Sequence, residues 1–201
     1  MSLPPFAVTY DYRCPFARNV HEHLVEALVD GSGWDVTFTP FSLTQIHVEE
    51  GGRPVWDDPD KASGLLATEA GIVVRDRYPE RFGAVHVALF AARHDESRDL
   101  RERDVVGDVL TRAGVDESAV FAEVDDGWPR DVYRKAHEAA VADHHVFGVP
   151  TFVLGDDAVF VRIMTRPAGD AALARKTVED IVALMIGQPD LNEFKHTSIS
   201  R

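Results

Sequence analysis

Apolar residues recur along this chain with two periods, and the switches between them outline its architecture. Phe6-Ala7-Val8-Thr9-Tyr10 is a run of β formers and predicts a strand. Beyond Cys14-Pro15, the residues Val20, Leu24, Ala27 and Leu28 share one helical face, with Gly31 just past its end. Pro15 suits the first helical position, where its missing N–H costs nothing. From Trp34 to Phe38, Val36 and Phe38 alternate with Asp35 and Thr37 and predict a second strand. The chain therefore opens as a β-α-β unit.

Residues 44–63 then lose all periodicity and carry Gly51-Gly52, Pro54 and Pro59, the composition of a long loop. Loops of that length are uncommon in compact domains and often functional. Trp56 within it is either a lid over a pocket or a single exposed aromatic. Helical spacing follows in Leu65, Leu66, Ala70 and Val73, in Phe82, Val85, His86, Leu89 and Phe90, and in Val105, Val106, Val109, Leu110 and Ala113. Asp116 can cap a short fourth helix, and Pro129 can open a fifth that runs towards His145. Period two returns at Val149–Leu154 and Ala158–Val161, joined by Gly155-Asp156-Asp157 as a β-hairpin. Ala174, Val178, Ile181, Val182 and Met185 make a last amphipathic helix, stopped at Gly187. One sheet needs strands from both ends of the chain, so the central helices read as an insertion into an α/β domain.

Charge narrows the range of partners. The formal net charge is -13, a field that repels phosphate backbones and anionic lipid, and no basic run offsets it. Nucleic acid and membrane surfaces are therefore not expected partners. Met1-Ser2-Leu3-Pro4-Pro5 lacks the basic and apolar regions of a secretory signal, which points to the cytoplasm. Apolar runs are too short to span a bilayer.

The chain has 1 cysteine, which excludes an intrachain disulfide. Cys14 follows a predicted strand and directly precedes a helix, where free N–H groups and the positive dipole end favour a thiolate. Arg13 adjoins it and Arg18 lies one helical turn on, so a pKa below the free value of ~8.5 is expected. The bland reading is a small buried apolar side chain. Pro150 opens a predicted strand; it is either a cis proline shaping a site or an ordinary trans one. His21 and His23 point to different helical faces and His144-His145 point apart, so solvated or capping roles are expected and no metal site. No glycine-rich phosphate loop occurs.

The strand followed by Asp11-Tyr12-Arg13-Cys14-Pro15-Phe16-Ala17 and a helix resembles the active-site region of DsbA-like proteins in the thioredoxin superfamily. Gly148-Val149-Pro150-Thr151-Phe152 is similar to that family's cis-proline strand, which lies beside the active cysteine. The helical insertion fits the same layout. The resemblance implies an α/β, thioredoxin-like fold with an inserted helical subdomain: 1–43 and 146–190 as the thioredoxin-like domain, 60–145 as the insertion, 191–201 as a C-terminal tail. Ile163-Met164-Thr165-Arg166-Pro167 and Phe194-Lys195 resemble an actinobacterial branch that works with mycothiol, including mycothiol-dependent nitroreductases.

Dithiol oxidases of the family carry Cys-x-x-Cys, whereas this chain has Ala17 at the second position. The related kappa-class glutathione transferases and 2-hydroxychromene-2-carboxylate isomerases carry a Ser-Pro motif there, and Cys14-Pro15-Phe16-Ala17 resembles it with sulfur replacing oxygen. The resemblance implies a monothiol oxidoreductase in which Cys14 is the nucleophile and Pro150, in cis, shapes the pocket. The Val149 backbone would pair with the peptide-like part of a low-molecular-weight thiol such as mycothiol or glutathione, with Phe16, Thr151 and Arg18 as further contacts. The alternatives are a transferase or isomerase that holds such a thiol without redox change, and a thioredoxin-fold binding module with an inert cysteine.

Overall fold

A single four-stranded sheet assembled from both ends of the chain decides where the site lies. The computed structural model describes residues 3–198; the first two residues and 199–201, the end of the expected tail, lie outside the described residues. Strand β1 (Phe6–Tyr10) leads into helix α1 (Pro15–Val29) and back into β2 (Val36–Pro40). β1 and β2 are parallel, with Phe6 opposite Val36 and Tyr10 opposite Pro40, which requires the α1 crossover. Strands β3 (Thr151–Leu154) and β4 (Asp157–Phe160) form the hairpin, with Gly155 supplying a positive φ of 59° at the turn. β3 runs antiparallel to β1 and completes the order β2-β1-β3-β4.

Between β2 and β3 run α2 (Leu66–Arg77), α3 (Pro79–His94), α4 (Arg103–Arg112), α5 (Glu117–Asp126) and α6 (Trp128–His144). Asp116 caps α5 by accepting from the Ser118 and Ala119 amides, and Gly127 at φ 92° turns the chain directly into α6. The last helix, α7 (Ala171–Gly187), packs along α1. One core runs through both parts of the chain, from Val8, Leu24 and Phe38 to Phe90, Leu110, Phe152 and Val178. Burying such a side chain is worth about 1.5–3 kcal/mol, so the inserted helices are fastened to the sheet rather than appended to it. No helix among the described residues is long and apolar enough to cross a membrane.

The sequence reading needs correction at three places. β2 begins at Val36, because Trp34 leaves the ladder and packs edge-on against Phe6. β3 begins at Thr151, because Pro150 has no N–H to contribute to a ladder. Trp56 is no exposed aromatic: it is 6% exposed and packs on Tyr133 in a second cluster with Val55, Leu65 and Ile72. The long loop also contains two short 3-10 turns, Gln45–His47 and Pro59–Gly64.

Candidate active site

Cys14 sits at the mouth of α1, in the turn that carries the chain off β1. Asp11 makes that turn: its carbonyl accepts from the Cys14 amide at 3.0 Å, and its side chain accepts from the Arg13 amide at 2.9 Å. The same carboxylate takes the Leu43 amide at 2.9 Å and grips the Arg13 guanidinium at 3.1 and 2.8 Å, tying the turn to the chain leaving β2. Aspartate suits the place because its short side chain bonds backbone amides in turns. Sequence reasoning missed Asp11; an Asp two residues before the Arg, between a strand and a helix, was the available signal.

Cys14 is the N-cap residue of α1, with its sulfur accepting from the Ala17 amide at 3.4 Å. Its thiol donates to the Val149 carbonyl at 3.3 Å, and the Val149–Pro150 peptide bond is cis. The structure thus brings Cys14, Val149 and Pro150 together from opposite ends of the chain. Pro150 offers its carbonyl to the Val161 amide at 3.0 Å, so only the Val149 carbonyl is turned to the sulfur. The Thr151 amide bonds the Thr9 hydroxyl at 2.9 Å, and the Thr151 hydroxyl bonds the Gly148 carbonyl at 2.8 Å. Thr151 is buried, with its amide and hydroxyl both engaged, and shapes the strand entry from within.

The expected low thiol pKa is corrected. Burial pushes the Cys14 thiol above its ordinary value, the Ala17 and Phe16 amides counteract this in part, and the Asp11 charge adds to the rise. The arginines do not reach the sulfur's account. Arg13 is held by Asp11, and Arg18 pairs with Asp95 at 2.7 Å and with Glu22 at 4.0 Å. Arg18 therefore stands in an ion-pair network with Arg166, not against the thiol. Phe16 is half-buried beside Cys14, with the Arg162 guanidinium 5.4 Å over its ring and 6.0 Å from that of Phe160. Phe147, exposed, leans on Phe160 at 5.3 Å, which gives the Val149 side of the sulfur an aromatic rim.

Behind the turn lies a polar chain that composition and spacing could not reveal. His21 and His86 are fully buried, against the expectation of solvated or capping histidines for His21 and His23, the latter 1% exposed. Tyr12 Oη stands 2.8 Å from His86 Nδ1, His86 Nε2 is 2.9 Å from His21 Nδ1, and His21 Nε2 is 3.2 Å from the Thr9 carbonyl. A carbonyl only accepts, so His21 Nε2 carries its hydrogen, His86 Nε2 donates onward, and Tyr12 donates to His86. Burial holds both imidazoles neutral, lowering His21 to about 3 and His86 well below its usual value. Gly71 of α2 makes room for this chain: a Cβ there would stand 2.7 Å from Tyr12 Oη. The Tyr12 carbonyl accepts from His94 Nε2 at 2.9 Å, so α2 and α3 both hold the turn from behind. Among the described residues no cluster of three or more His, Cys, Asp or Glu side chains is placed to hold a metal ion.

Residues 77–165, a stretch that contains Val149–Pro150 but not Cys14, match the DSBA-like thioredoxin domain family. No curated protein sequence matches the chain significantly. Among solved structures, a 2-hydroxychromene-2-carboxylate isomerase is similar over 94% of this chain and 100% of its own, with a TM-score of 0.62 and 16% identity. MdbA, a thiol-disulfide oxidoreductase from Actinomyces oris, is similar over 87% of this chain and 80% of its own, at 0.61 and 18%. The cytosolic disulfide reductase DsbM from Pseudomonas aeruginosa, solved with GSH, covers 90% of this chain and 100% of its own, at 0.60 and 17%. At these identities the likeness is one of fold. The match to the DSBA-like thioredoxin domain thus runs from the end of α2 to just beyond the hairpin, and the fold shared with these structures extends over nearly the whole chain.

Proposed function

We propose that the protein is a monothiol DsbA-like oxidoreductase that works with a low-molecular-weight thiol, mycothiol or glutathione. The observation that carries this reading is the Cys14 thiol, capping α1 and bonded to the Val149 carbonyl beside a cis proline. Cys14 loses its proton and attacks one sulfur of a disulfide, forming a mixed disulfide while the other sulfur leaves as a thiolate and takes up the proton. A small thiol then attacks that mixed disulfide, passes into a new disulfide with the bound sulfur, and returns Cys14 as the thiol. The sum is one disulfide exchanged for another, with no electrons left over. Ala17, where dithiol enzymes have their resolving cysteine, makes the outside thiol obligatory.

The raised thiol pKa fits this chemistry in a particular way. At rest the Cys14 S–H occupies the Val149 carbonyl; ionisation removes that donor and leaves the carbonyl free for the amide of a bound thiol peptide or pseudopeptide. Thiolate formation and cofactor pairing are then coupled at one backbone oxygen, with Pro150 setting its direction and Phe16 walling the approach. Location in the cytoplasm suits a lone thiol, which persists where small thiols keep it reduced, and the similar DsbM is a cytosolic protein.

A second reading has its own support. The similarity to an isomerase, together with a buried thiol that is neutral at rest, favours a kappa-class-like transferase or isomerase in which Cys14 only positions another thiol. Intact mass measurement after incubation with mycothiol disulfide or glutathione disulfide separates the two. The oxidoreductase reading expects a single adduct, absent in Cys14→Ser and released by excess thiol, and an internal disulfide in Ala17→Cys. No adduct at any pH up to about 9, near the ordinary thiol range, overturns it in favour of the second. Arg18→Ala should leave the pH midpoint of Cys14 alkylation unchanged, since its charge is committed to Asp95 and Glu22.

A further inference from the structure

The chain of residues 43–61 leaves β2 and walls a cleft of about 510 Å³ that starts at Arg13, the residue before Cys14. Its floor is apolar: Leu43 and Val48 are half-buried, and Val55 behind them is 1% exposed and belongs to the small cluster around Trp56 on which Val48 packs. Its rim is cationic in a chain of net charge -13. Arg13 is neutralised by Asp11, and the one carboxylate on the cleft, Asp58, caps the following 3-10 turn by accepting from the Asp60 amide at 3.1 Å. Arg53 and Lys61 are exposed and have no ion-pair partner among the described residues. A smaller cleft of about 220 Å³ shares Arg13, Thr44, Val55 and Lys61 and extends the same groove towards Asp60 and Arg101.

The walls are fixed before anything binds. The Val55 amide bonds Gln45 Oε1 at 2.9 Å, Gln45 is tied to Ser42 at 3.1 Å, and the Ser42 amide bonds His137 of α6 at 3.2 Å. Gly51 takes a φ of 78°, and a Cβ on Gly52 would strike the Glu49 carbonyl at 2.9 Å, so the tight turn beside Arg53 demands glycine at both positions. An open cleft of this volume, apolar at its floor and charged at the edge, suits a small ligand with one ionised end. From this juxtaposition we propose that the cleft binds a small amphipathic organic anion, an apolar body on Leu43 and Val48 and a carboxylate or similar group between Arg53 and Lys61. A peptide thiol such as glutathione, polar along its length, has no use for such a floor. The site is independent of Cys14 chemistry.

The test uses the Cys14→Ser protein, so that thiol exchange plays no part, and three probes of one shape: 4-phenylbutyrate, 4-phenylbutanol and 4-phenylbutylamine. Calorimetric titration should show the acid binding at least ten-fold more tightly than the amine, with the alcohol between them. Added salt should narrow that gap. The double variant Arg53→Gln/Lys61→Gln should weaken the acid at least ten-fold and leave the alcohol unchanged; both side chains are exposed, so an unchanged melting temperature certifies the fold. No saturable binding of the acid, equal binding of acid and amine, or undiminished acid binding in the double variant each overturns the proposal and leaves the reading of Cys14 untouched.

Discussion

Two polar clusters hold α1 against the inserted helices, and they are built on opposite principles. One is the chain from Tyr12 through His86 and His21 to the Thr9 carbonyl, with all four groups inside the core and no formal charge. The other is the rim network in which Arg18 and Arg166 share Glu22 and Asp95, with side chains from 11% to 41% exposed. Both join α1 to α3 or its end, and both lie within a turn or two of Cys14. The buried chain gains nothing from formal charge and everything from completeness, because any member removed strands its neighbours in a dry environment. The rim network gains little from any one pair, because water and salt screen it. Position of the Cys14 turn therefore depends on the neutral cluster, and the charged one trims it.

The largest effect should follow from breaking the buried chain. His86→Ala removes a fully buried ring packed against Tyr10, Tyr12, Phe82 and Phe90, and leaves Tyr12 Oη and His21 Nδ1 unpartnered. Cavity and stranded polar groups together should cost about 3–5 kcal/mol, read as a lowered urea midpoint. A loss below about 1 kcal/mol, the scale of a surface change, would show that the chain is not the element that holds the turn.

Acid should expose the same contrast. His21, lowered to about 3, and His137, lowered to about 4, are neutral in the fold, as is His86. The unfolded chain takes up protons on these groups below about pH 6.5, while the native one does not, so stability is flat above that value and falls below it. Each buried histidine removes up to about 1.4 kcal/mol per pH unit down to its folded pKa. Urea midpoints between about pH 7 and 4.5, bracketing the unfolded histidine value, should fall steeply, and less steeply in His21→Phe. A flat profile would mean that the histidines titrate in the native state.

The elements of the fold were legible in the sequence because each has a period and most have an end marker: Pro15 and Gly31 around α1, Asp116 before α5, Gly155 in the hairpin. Cys14 and Pro150 were legible because one sits at a helix mouth and the other interrupts a strand. What escaped is what depends on third parties. Arg13 and Arg18 looked free beside the cysteine, but Asp95 lies far along the chain, and the role of Asp11 needs the Leu43 amide to be seen. His21 and His86 are far apart in sequence, and no spacing rule brings them into one hydrogen-bonded chain. Trp56 lay in a stretch without periodicity, which hides burial that α6 supplies through Tyr133.

The smallest effect belongs to the rim, and its size is the point. Arg166→Ala removes contacts to Glu22 at 2.5 Å and to Asp95 at 3.2 Å, but Arg18 still serves both carboxylates. The segment that carries Arg166 also stays anchored, since Asn19 donates to the Ile163 carbonyl at 2.8 Å and His23 Nε2 lies 3.3 Å from the Thr165 carbonyl. The loss should therefore be about 0.5–1 kcal/mol at low ionic strength. In about 1 M salt, where the screening length falls to ~3 Å, it should shrink towards zero, whereas the cost of His86→Ala should persist. Paired denaturation curves at both salt concentrations read this directly. A cost for Arg166→Ala above about 2 kcal/mol that survives high salt would place the network with desolvated ion pairs, and the distinction between the two clusters would fail.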